Sequence, residues 1–508
     1  MLIVIAAMAR TPEEKCGTIE IMRTLRGEPG GMNPDYLAMK RIMRPTLPYQ
    51  YDTPQGNFKI HYTLTGGDAI DSLGYAIKIG EYMERCWSVY ADSFGYIVPP
   101  NDGTLGGDAR YDVYLRNISA YGLTYPGTDG GQPWDDLTSY IELDNDYSAA
   151  YPNDDPDGPV AGAMRVTAAH ELHHAFQFGL YGSCASWIAE MSSVSMEERM
   201  YPLVNDYIWL LDYLFDDPQL SIAYEFGYHM YGMGLYAEYW NMVYGDDFLA
   251  TVWDTMRFIP NEEAVYAACD VFGTSLLADM ADFAATALFV GSRDCGFYPD
   301  GAAMSDMEVA HTHSTYPASG GASPQPYGYG MNFIIFENFG VSPVDLRIDF
   351  DGADGVEWGV RAVWKDGDSI AVFNLTVAAF AMGSVVVPFV NEAEMVGLAI
   401  IPGGEFASRY NFSYSAEIQP AGITEHSMPE EIEIRAFPNP FNSSCRIEVS
   451  DSIGEIRIYD IRGELAHVLH GPEFVWDGKD MNGKPLSNGT YLIRGCNSGS
   501  FAKVVLME

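Results

Sequence analysis

Residues 170–174 read HELHH, an HExxH pattern of two histidines and one glutamate. They lie in residues 161–180, a stretch whose Ala, Met, Leu and Phe content favours a helix. Positions i and i+4 share one helix face, so His170 and His174 can direct two imidazoles at one metal ion. Glu171 then sits beside that face, where it can take a proton from a water activated by the metal. We therefore expect His170 and His174 to bind zinc and Glu171 to be the general base.

The motif leaves two alternatives open. His173 follows His170 by three positions, so these two histidines could share the face instead. The stretch could also be an ordinary surface helix that happens to carry three histidines and a glutamate.

A catalytic zinc requires a third protein ligand, and acidic residues after the motif supply the candidates. Glu190 is the next one, early in a second helical run from Ser186, and the interval from His174 allows a turn near Gly182. We expect Glu190 to be the third ligand. Glu197, further along that run, is the alternative ligand or a partner behind a ligand. We expect Glu198 on a solvated helix face.

Hydrolysis also needs a donor for the negative charge that develops on the substrate oxygen. Downstream of the second helical run, residues 223–234 read AYEFGYHMYGMG and contain three tyrosines and a histidine. We take His229 and Tyr231 as the candidate donors. Packing of these rings in an aromatic core is the alternative for each.

Oxygen-rich loops lie just before the motif. Asp144 and Asp146 occur in LDNDY, and Asp154, Asp155 and Asp157 follow in a Pro/Gly loop. Carboxylates in such loops can hold Ca²⁺, although their spacing is not that of an EF-hand. Ca²⁺ is therefore a second candidate cofactor. Asp144 and Asp146 could instead line the substrate cleft or simply turn the chain.

The elements that must position these residues follow from periodicity. Residues 58–64 are predicted to form a strand and residues 70–94 a helical stretch. Residues 111–115 and 139–143 are short predicted strands between Gly/Asp-rich loops, and residues 161–290 are mainly helical. This first half has an α+β pattern, mostly helical around the candidate site.

The second half changes to a period of two, in six predicted strands over residues 346–418 that indicate a β-sandwich. A polar stretch and a further small β module follow. The predicted division of the chain is a truncated signal peptide at 1–9, an N-terminal arm or pro-segment at 10–57, a metallopeptidase domain at 58–325, a β-sandwich at 326–418, a linker at 419–433 and a C-terminal Ig-like module at 434–508.

An HExxH motif followed by a glutamate on the next helix resembles the gluzincin metallopeptidases, whose fold is zincin-like. Over roughly residues 15–330 the chain also resembles the MXAN_6640 family, a bacterial group regarded as metalloproteases. The resemblance implies a zinc peptidase, with His170, His174 and Glu190 as ligands, but supplies no substrate. The stretches that carry it are Lys15-Cys16-Gly17-Thr18, Tyr111-Asp112-Val113-Tyr114-Leu115, Asp144-Asn145-Asp146-Tyr147, Val166-Thr167-Ala168-Ala169 with the HExxH and Gln177, Trp187 with Glu190, and residues 291–299.

The C-terminal module carries an ordered set of motifs: FPNPFN at 437–442, IRIYDIRGELAHVL at 456–469, VWDGKD at 475–480, two Asn-Gly turns and a final KVVL. Alternating strands, tight turns and one Trp in a small core are typical of an Ig-like sandwich. The set resembles the C-terminal sorting domain of the type IX secretion pathway, which is similar to the FlgD Ig-like domain. This resemblance implies export. Cys445 and Cys496 could then form a disulfide, or both could be small buried hydrophobic residues.

Composition limits the partners. The chain has 508 residues, with 28 basic and 70 acidic side chains and a net charge of −42. This surplus of acid argues against nucleic acid and anionic membranes as partners. No internal stretch has the roughly 20 uninterrupted apolar residues of a membrane span. The apolar residues 1–9 indicate either a clipped signal or a buried strand.

Two functions compete. The first is an exported zinc-dependent endopeptidase that acts on a protein or peptide substrate and reaches the cell surface or medium through its C-terminal module. The second is a catalytically inactive surface protein that keeps the peptidase scaffold and binds proteins or glycans. A zinc hydrolase with another substrate is a third option, because HExxH specifies a metal and a base only.

Overall fold

The structure is a computed structural model. It describes residues 15–148, 150, 152–421, 434–439, 441–449, 455–460, 465–471, 474–481, 483–495 and 501–506. The predicted signal at 1–9, most of the linker and Cys496 lie outside these residues. The disulfide, one of the two alternatives for Cys445 and Cys496, therefore stays a prediction.

A five-stranded mixed sheet forms one layer of the first half, with strand order β1-β2-β3-β5-β4. The inner strands β2, β3 and β5 run parallel, whereas β1 and β4 pair antiparallel at the two edges. Periodicity correctly predicts β2, β3 and β5 but not β4, whose pattern Pro126 and Gly127 interrupt. The strands are β1 (Tyr49–Asp52), β2 (Phe58–Tyr62), β3 (Tyr111–Arg116), β4 (Gly122–Asp129) and β5 (Leu137–Asp144).

Eleven α-helices are described, most of them packed on this sheet or on one another. They are α1 (Thr18–Arg26), α2 (Pro34–Ile42), α3 (Leu73–Ser88), α4 (Pro159–Leu180), α5 (Ser186–Met200), α6 (Ile208–Phe215), α7 (His229–Gly232), α8 (Gly234–Tyr244), α9 (Asp247–Met256), α10 (Glu262–Val271) and α11 (Leu276–Ala287).

The HExxH helix α4 is the centre of this half. It contacts β4, β5, α3, α5 and α9, and nearly all its residues from Ala161 to Leu180 are buried. A helix enclosed on every side needs apolar or small residues on every side, which explains why its sequence lacks a polar face. The surface-helix alternative is therefore wrong, because the three histidines are buried.

The segment predicted as an N-terminal arm is integrated into this half. Helix α1 contacts β4 and α5, and β1 pairs with β2. Ile21 and Met22 of α1 are buried in the same core as α4. The described part of the arm is thus part of the folded domain, and its first residues reach the candidate site.

Residues 311–420 form the expected sandwich of two antiparallel-rich sheets, ordered β11-β10-β13-β8-β6 and β12-β9-β14-β7. It begins before the predicted boundary at 326, with β6 and β7. The strands are β6 (His311–His313), β7 (Ala318–Gly321), β8 (Asn332–Phe336), β9 (Val344–Gly352), β10 (Glu357–Asp366), β11 (Ser369–Asn374), β12 (Met382–Val387), β13 (Met395–Gly403) and β14 (Phe412–Pro420).

The C-terminal module has a sheet of order β15-β16-β19 and a second sheet of order β18-β17-β20-β21. Trp476 is buried between them, against the rings of Phe441 and Tyr491. This is the small sandwich that its motifs predict. Its strands are β15 (Ile434–Phe437), β16 (Cys445–Val449), β17 (Glu455–Asp460), β18 (Leu465–His470), β19 (Phe474–Trp476), β20 (Gly489–Gly495) and β21 (Phe501–Leu506).

Over the described residues, no single helix has the length and apolar composition to cross a membrane. Helices α10 and α11 meet that criterion only as a pair, across an 83° bend.

Candidate metal centre

Four side chains, those of Cys16, His170, His174 and Glu190, each bring a donor atom to within 4.8 Å of the others. The two histidine Nε2 atoms are 3.0 Å apart. The Glu190 carboxylate lies 3.2 Å from His170 Nε2 and 3.3 Å from His174 Nε2. Cys16 Sγ lies 3.5 Å from His174 Nε2 and 3.8 Å from Glu190 Oε1. Within the described parts of the chain, this four-donor cluster is the one such group of His, Cys and acidic residues.

The donor set and its spacing fit a tetrahedral ion. Bonds of about 2.0–2.3 Å to zinc place the donors of a tetrahedron about 3.3–3.6 Å apart. The observed separations of 3.0 to 3.8 Å bracket this value. Two imidazoles, a carboxylate and a thiol are also the ligand types that zinc prefers. The cluster could therefore hold a zinc ion without large movement of its side chains.

Glu197 lies behind His170 in this arrangement. Its Oε1 is 2.7 Å from His170 Nδ1, and its Oε2 accepts a hydrogen bond of 2.6 Å from Lys15 Nζ. Asp206 lies 3.2 Å from the same ammonium. A carboxylate on Nδ1 fixes the imidazole with Nε2 free for a metal. Of the two carboxylates considered as third ligand, Glu190 is the one in the cluster, and Glu197 orients a histidine.

His174 is oriented by an amide. Gln177 Oε1 lies 2.7 Å from His174 Nδ1, which leaves Nε2 to face the cluster. His173 turns the other way, with its Nδ1 3.0 Å from Ser193 Oγ and its ring edge-on to Tyr90. The structure thus pairs His170 with His174, and the alternative pairing with His173 is wrong.

Charges in the cluster are strongly coupled. Burial alone would lower the pKa of His174, but Glu190 and Cys16 raise it to about 10. Burial likewise opposes the shift of His170, whose pKa is nevertheless raised well above its usual value by Cys16, Glu190 and Glu197. Burial would raise the pKa of Glu190, yet the two histidines lower it to about 2. A metal ion must displace the imidazole protons, so metal affinity falls as the pH falls.

Glu171 lies on the face of α4 that contacts β4. Its Oε2 accepts hydrogen bonds from Thr18 Oγ1 at 3.0 Å and Thr124 Oγ1 at 2.7 Å. Its Oε1 is buried and has no hydrogen-bond partner among the described residues. A buried carboxylate oxygen without a donor is costly, and a water or substrate proton would satisfy it. The carboxylate is therefore fixed on one side and free on the other.

Gly122, the first residue of β4, makes room for Glu171. A Cβ at this position would lie 2.5 Å from Glu171 Cγ and 2.9 Å from Thr167 Cγ2. We expect Gly122→Ala to displace the Glu171 side chain and to lower the free energy of unfolding by about 1–3 kcal/mol. Denaturant unfolding measures this effect. Gly67→Ala is the control, because its Cβ would meet no atom within 4 Å. Equal stability of the two variants would contradict the predicted crowding.

Residues 15–18 run along the edge strand β4. Cys16 forms a parallel bridge with Gly122, and the Gly17 N–H donates to the Gly122 carbonyl at 3.1 Å. The Thr124 N–H donates to Thr18 Oγ1 at 2.8 Å, and the Thr18 N–H donates to Cys16 Sγ at 3.4 Å. Backbone pairing thus holds the Cys16 sulfur over the histidines.

The two oxyanion-donor candidates differ in position. The Tyr231 ring lies parallel to that of His170, with ring centres 6.4 Å apart, and its buried hydroxyl has no partner among the described residues. Burial, and after it the charge of Glu190, raises the pKa of Tyr231 well above its usual value, so the phenol keeps its proton. His229 Nδ1 instead lies 3.2 Å from the Tyr213 carbonyl, outside the four-donor cluster. Burial lowers its pKa to about 4.

Glu198 is half-buried rather than fully solvated. Burial, together with Glu238, Asp300 and Asp206, raises its pKa from 4.5 to about 9. The folded chain therefore keeps a proton that the unfolded chain has lost, so this group's contribution to stability falls as the pH rises from about 4.5 to about 9.

We expect Glu198→Gln to remove this decrease in stability at high pH. The variant should unfold like the wild type near pH 5 but be more stable by about 1–3 kcal/mol near pH 9, since partial solvent access reduces the full linkage value. Thermal unfolding at the two pH values measures the difference. Glu81→Gln, on an exposed face of α3, should show no such change. An equal effect of Glu198→Gln at both pH values would disprove the assignment.

The aspartate loops are held by protein groups. Asp155 and Asp157 pair with Arg165, and Asp144 Oδ2 accepts the Tyr147 N–H. Within the described residues, none of these aspartates joins a group of three or more metal-donor side chains. Calcium binding there stays a prediction.

Cys16 and Thr18 are among the residues at the site to which the sequence assigned no role. Cys16 lies 158 positions before His174, and only tertiary structure brings the two together. The one available signal was the stretch Lys15-Cys16-Gly17-Thr18, part of the family resemblance. Its Lys15, Cys16 and Thr18 contact Glu197, the histidines and Glu171 respectively.

Comparison with known families identifies the C-terminal module. Residues 435–506 match the secretion system C-terminal sorting domain. The chain is therefore exported by the type IX route and is secreted or displayed at the cell surface, and the export machinery is a partner of this module. The match covers only this module and does not reach the metal centre. No curated protein is significantly similar to the chain.

Three solved structures show weak similarity. A β-1,2-glucanase from Parabacteroides distasonis is 12% identical over 38% of this chain and 37% of its own, with a TM-score of 0.14. The BSP domain of a biofilm associated protein is 9% identical over 48% and 55%, with a TM-score of 0.14. The adhesin domain of Epf from Streptococcus pyogenes is 11% identical over 38% and 74%, with a TM-score of 0.13. Scores this low carry no argument about fold or function.

Proposed function

We propose that the chain is an exported zinc-dependent endopeptidase of the gluzincin type, with a zincin-like first domain. The convergence of His170, His174 and Glu190 on one point, with the Glu171 carboxylate linked through Thr18 to Cys16 of the same cluster, carries the proposal. The resemblance to the MXAN_6640 family supports the same class. A zinc ion bound by these residues would polarise the scissile carbonyl and acidify water.

The chain's own residues supply the rest of the chemistry. Glu171 accepts a proton from the attacking water at Oε1, while Thr124 holds Oε2 in place. Tyr231 donates its hydroxyl proton in a hydrogen bond to the developing oxyanion. Glu197 and Gln177 keep the two imidazoles oriented with Nε2 toward the metal.

A peptide is the substrate class that the surroundings favour. Strand β4 is the edge of its sheet and lies next to Glu171. An extended peptide can pair with such an edge through its backbone, whatever its side chains are. Residues 16–17 already make this kind of pairing with Gly122. A sugar or small ester would make no use of these backbone groups.

The test combines metal content with hydrolysis. We expect about one zinc per chain by mass spectrometric metal analysis, and cleavage within the sequence of members of a peptide library. Both should be measured on the full chain and on a Cys16→Ala variant, because Cys16 contacts the cluster. Zinc without hydrolysis in either form would overturn the peptidase proposal.

A second function is favoured by one observation. Four protein donors that enclose an ion are typical of structural zinc sites, whereas catalytic sites keep one position open. The chain could then be an exported binding protein for proteins or glycans, with a metal that only stabilises it. This alternative leaves the buried, unpartnered Oε1 of Glu171 without a purpose.

A further inference from the structure

The candidate active site is closed in this structure. The exposed fractions are 3% for Cys16, 2% for His170 and 0% for Glu171, His174 and Glu190. A hydrolase acting on peptides must admit an extended chain to its metal and its base. Some part of the molecule must therefore leave before turnover, if the proposed function holds.

Residues 15–26 are the cover. Cys16 Sγ takes the fourth corner of the donor cluster, the position that a catalytic zinc leaves to water and substrate. Thr18 occupies one oxygen of Glu171, and the backbone of residues 16–17 occupies the β4 edge. One segment thus blocks the metal, the base and the peptide-pairing edge together.

The anchors of this cover are apolar along α1, where Ile21 and Met22 are buried in the core, and polar at its two ends. Lys15 reaches Glu197 and Asp206 inside the core. At the other end Arg26 bonds to Glu225 and to the Cys184 carbonyl. The cover is therefore held at both ends by polar contacts and along α1 by apolar packing.

The chain becomes accessible just after the cover. Residues 27–33, between α1 and α2, are largely exposed, and Gly27 and Gly30 adopt positive φ angles of 70° and 80°. Exposed loops with small residues are preferred sites of proteolysis. Once the loop is cut, the cover is no longer tethered and its effective concentration at the metal falls.

We propose that residues 15–26 are a built-in inhibitor, in which Cys16 Sγ is the fourth metal ligand and which is released by cleavage within residues 27–33. The activating step is hydrolysis of one peptide bond, in which water supplies the new carboxylate and amine ends. The buried, unpartnered Oε1 of Glu171 is the second observation that points to a reactive centre beneath the cover. The inference rests on the proposed function and specifies its regulation.

The ligand role of Cys16 can be tested without activity. Cobalt(II) in place of zinc shows a sulfur-to-metal charge-transfer absorption only when a thiolate is bound. We expect this absorption in the full wild-type chain and in Cys269→Ser, whose sulfur is buried in α10 away from the cluster. It should be absent in Cys16→Ala and Cys16→Ser, two variants chosen in case one fails to fold. An absorption unchanged in both Cys16 variants would overturn the ligand assignment.

The inhibitory role needs a second measurement. Hydrolysis of a peptide library is compared for the wild type, the two Cys16 variants, and a chain in which residues 27–33 carry the recognition sequence of a site-specific protease and have been cut there. We expect at least a tenfold rise in rate in the variants and in the cut chain. A wild type as fast as these forms overturns the inhibitor but keeps the peptidase. If no form hydrolyses peptides and replacement of Cys16 still abolishes the cobalt absorption, both the peptidase proposal and the inhibitor proposal are overturned. The cluster is then a structural metal site with four ligands.

Discussion

The Glu171→Gln variant is expected to keep one zinc per chain and to lose hydrolysis by a factor of about 10²–10⁴, the usual contribution of a general base. Gln has the same shape as Glu, and its carbonyl oxygen can accept the Thr18 and Thr124 hydrogen bonds that Glu171 Oε2 accepts now. The amide then replaces Oε1, so the group can no longer take a proton from water. Fold and metal binding should survive while proton transfer does not.

The measurement is peptide hydrolysis together with zinc content, in the otherwise wild-type chain and in the Cys16→Ala background. In the Cys16→Ala background the metal is no longer blocked by Cys16, so a loss of hydrolysis there is caused by the loss of the base and not by closure of the site. Glu198→Gln is the matched control, because it makes the same change on α5 outside the donor cluster. Glu171→Gln that hydrolyses peptides at the control rate would rule out Glu171 as the base.

The local part of this centre could be predicted from the sequence. His170, Glu171 and His174 are close in the chain, so a helix alone fixes their relative positions. Glu190 required one further step, that a second helix would pack against the first, and the structure shows α5 in that position. Helix composition and the turn near Gly182 were enough for this step.

The distant part could not be predicted in the same way. Cys16 reaches the histidines only because residues 16–17 pair with the start of β4. That edge strand was itself missed, since Pro126 and Gly127 obscure its alternation. An N-terminal segment rich in Pro, Gly and charge gives no periodic signal for where it will dock. Pairing between distant backbone segments depends on shape and hydrogen bonding that composition does not reveal.

The polar side chains that hydrogen-bond to the candidate ligands could not be predicted from the sequence either. Glu197 and Glu198 are neighbours in the chain, yet Glu197 is fully buried between Lys15 and His170 whereas Glu198 faces other acidic groups. Helical periodicity places the two side chains on different faces of the helix, but it does not predict which face lies next to a cation. The distinction comes from Lys15, again on the N-terminal segment. The same segment therefore explains most of what the sequence left open at the site.

The four-donor geometry changes what ligand variants should do. Glu190→Ala leaves Cys16 and two histidines, and Cys16→Ala leaves Glu190 and two histidines. Each single variant keeps three donors, which is enough to hold zinc. A binding free energy of about 10–16 kcal/mol shared by four donors gives about 2.5–4 kcal/mol for each, or about two to three orders of magnitude in Kd.

We therefore expect both single variants to bind one zinc with a Kd raised about 10²–10³-fold, and the double variant Cys16→Ala/Glu190→Ala to lose zinc during dialysis against a weak chelator. Competition with a chromophoric chelator measures the Kd values, and circular dichroism confirms that each variant is folded. Glu198→Gln should bind like the wild type. If Glu190→Ala alone were to lose zinc as completely as the double variant, Cys16 would not be a ligand. If the double variant kept zinc at the wild-type Kd, the metal would lie elsewhere. Only retention by each single variant and loss by the pair fits an ion held between α4, α5 and the N-terminal segment.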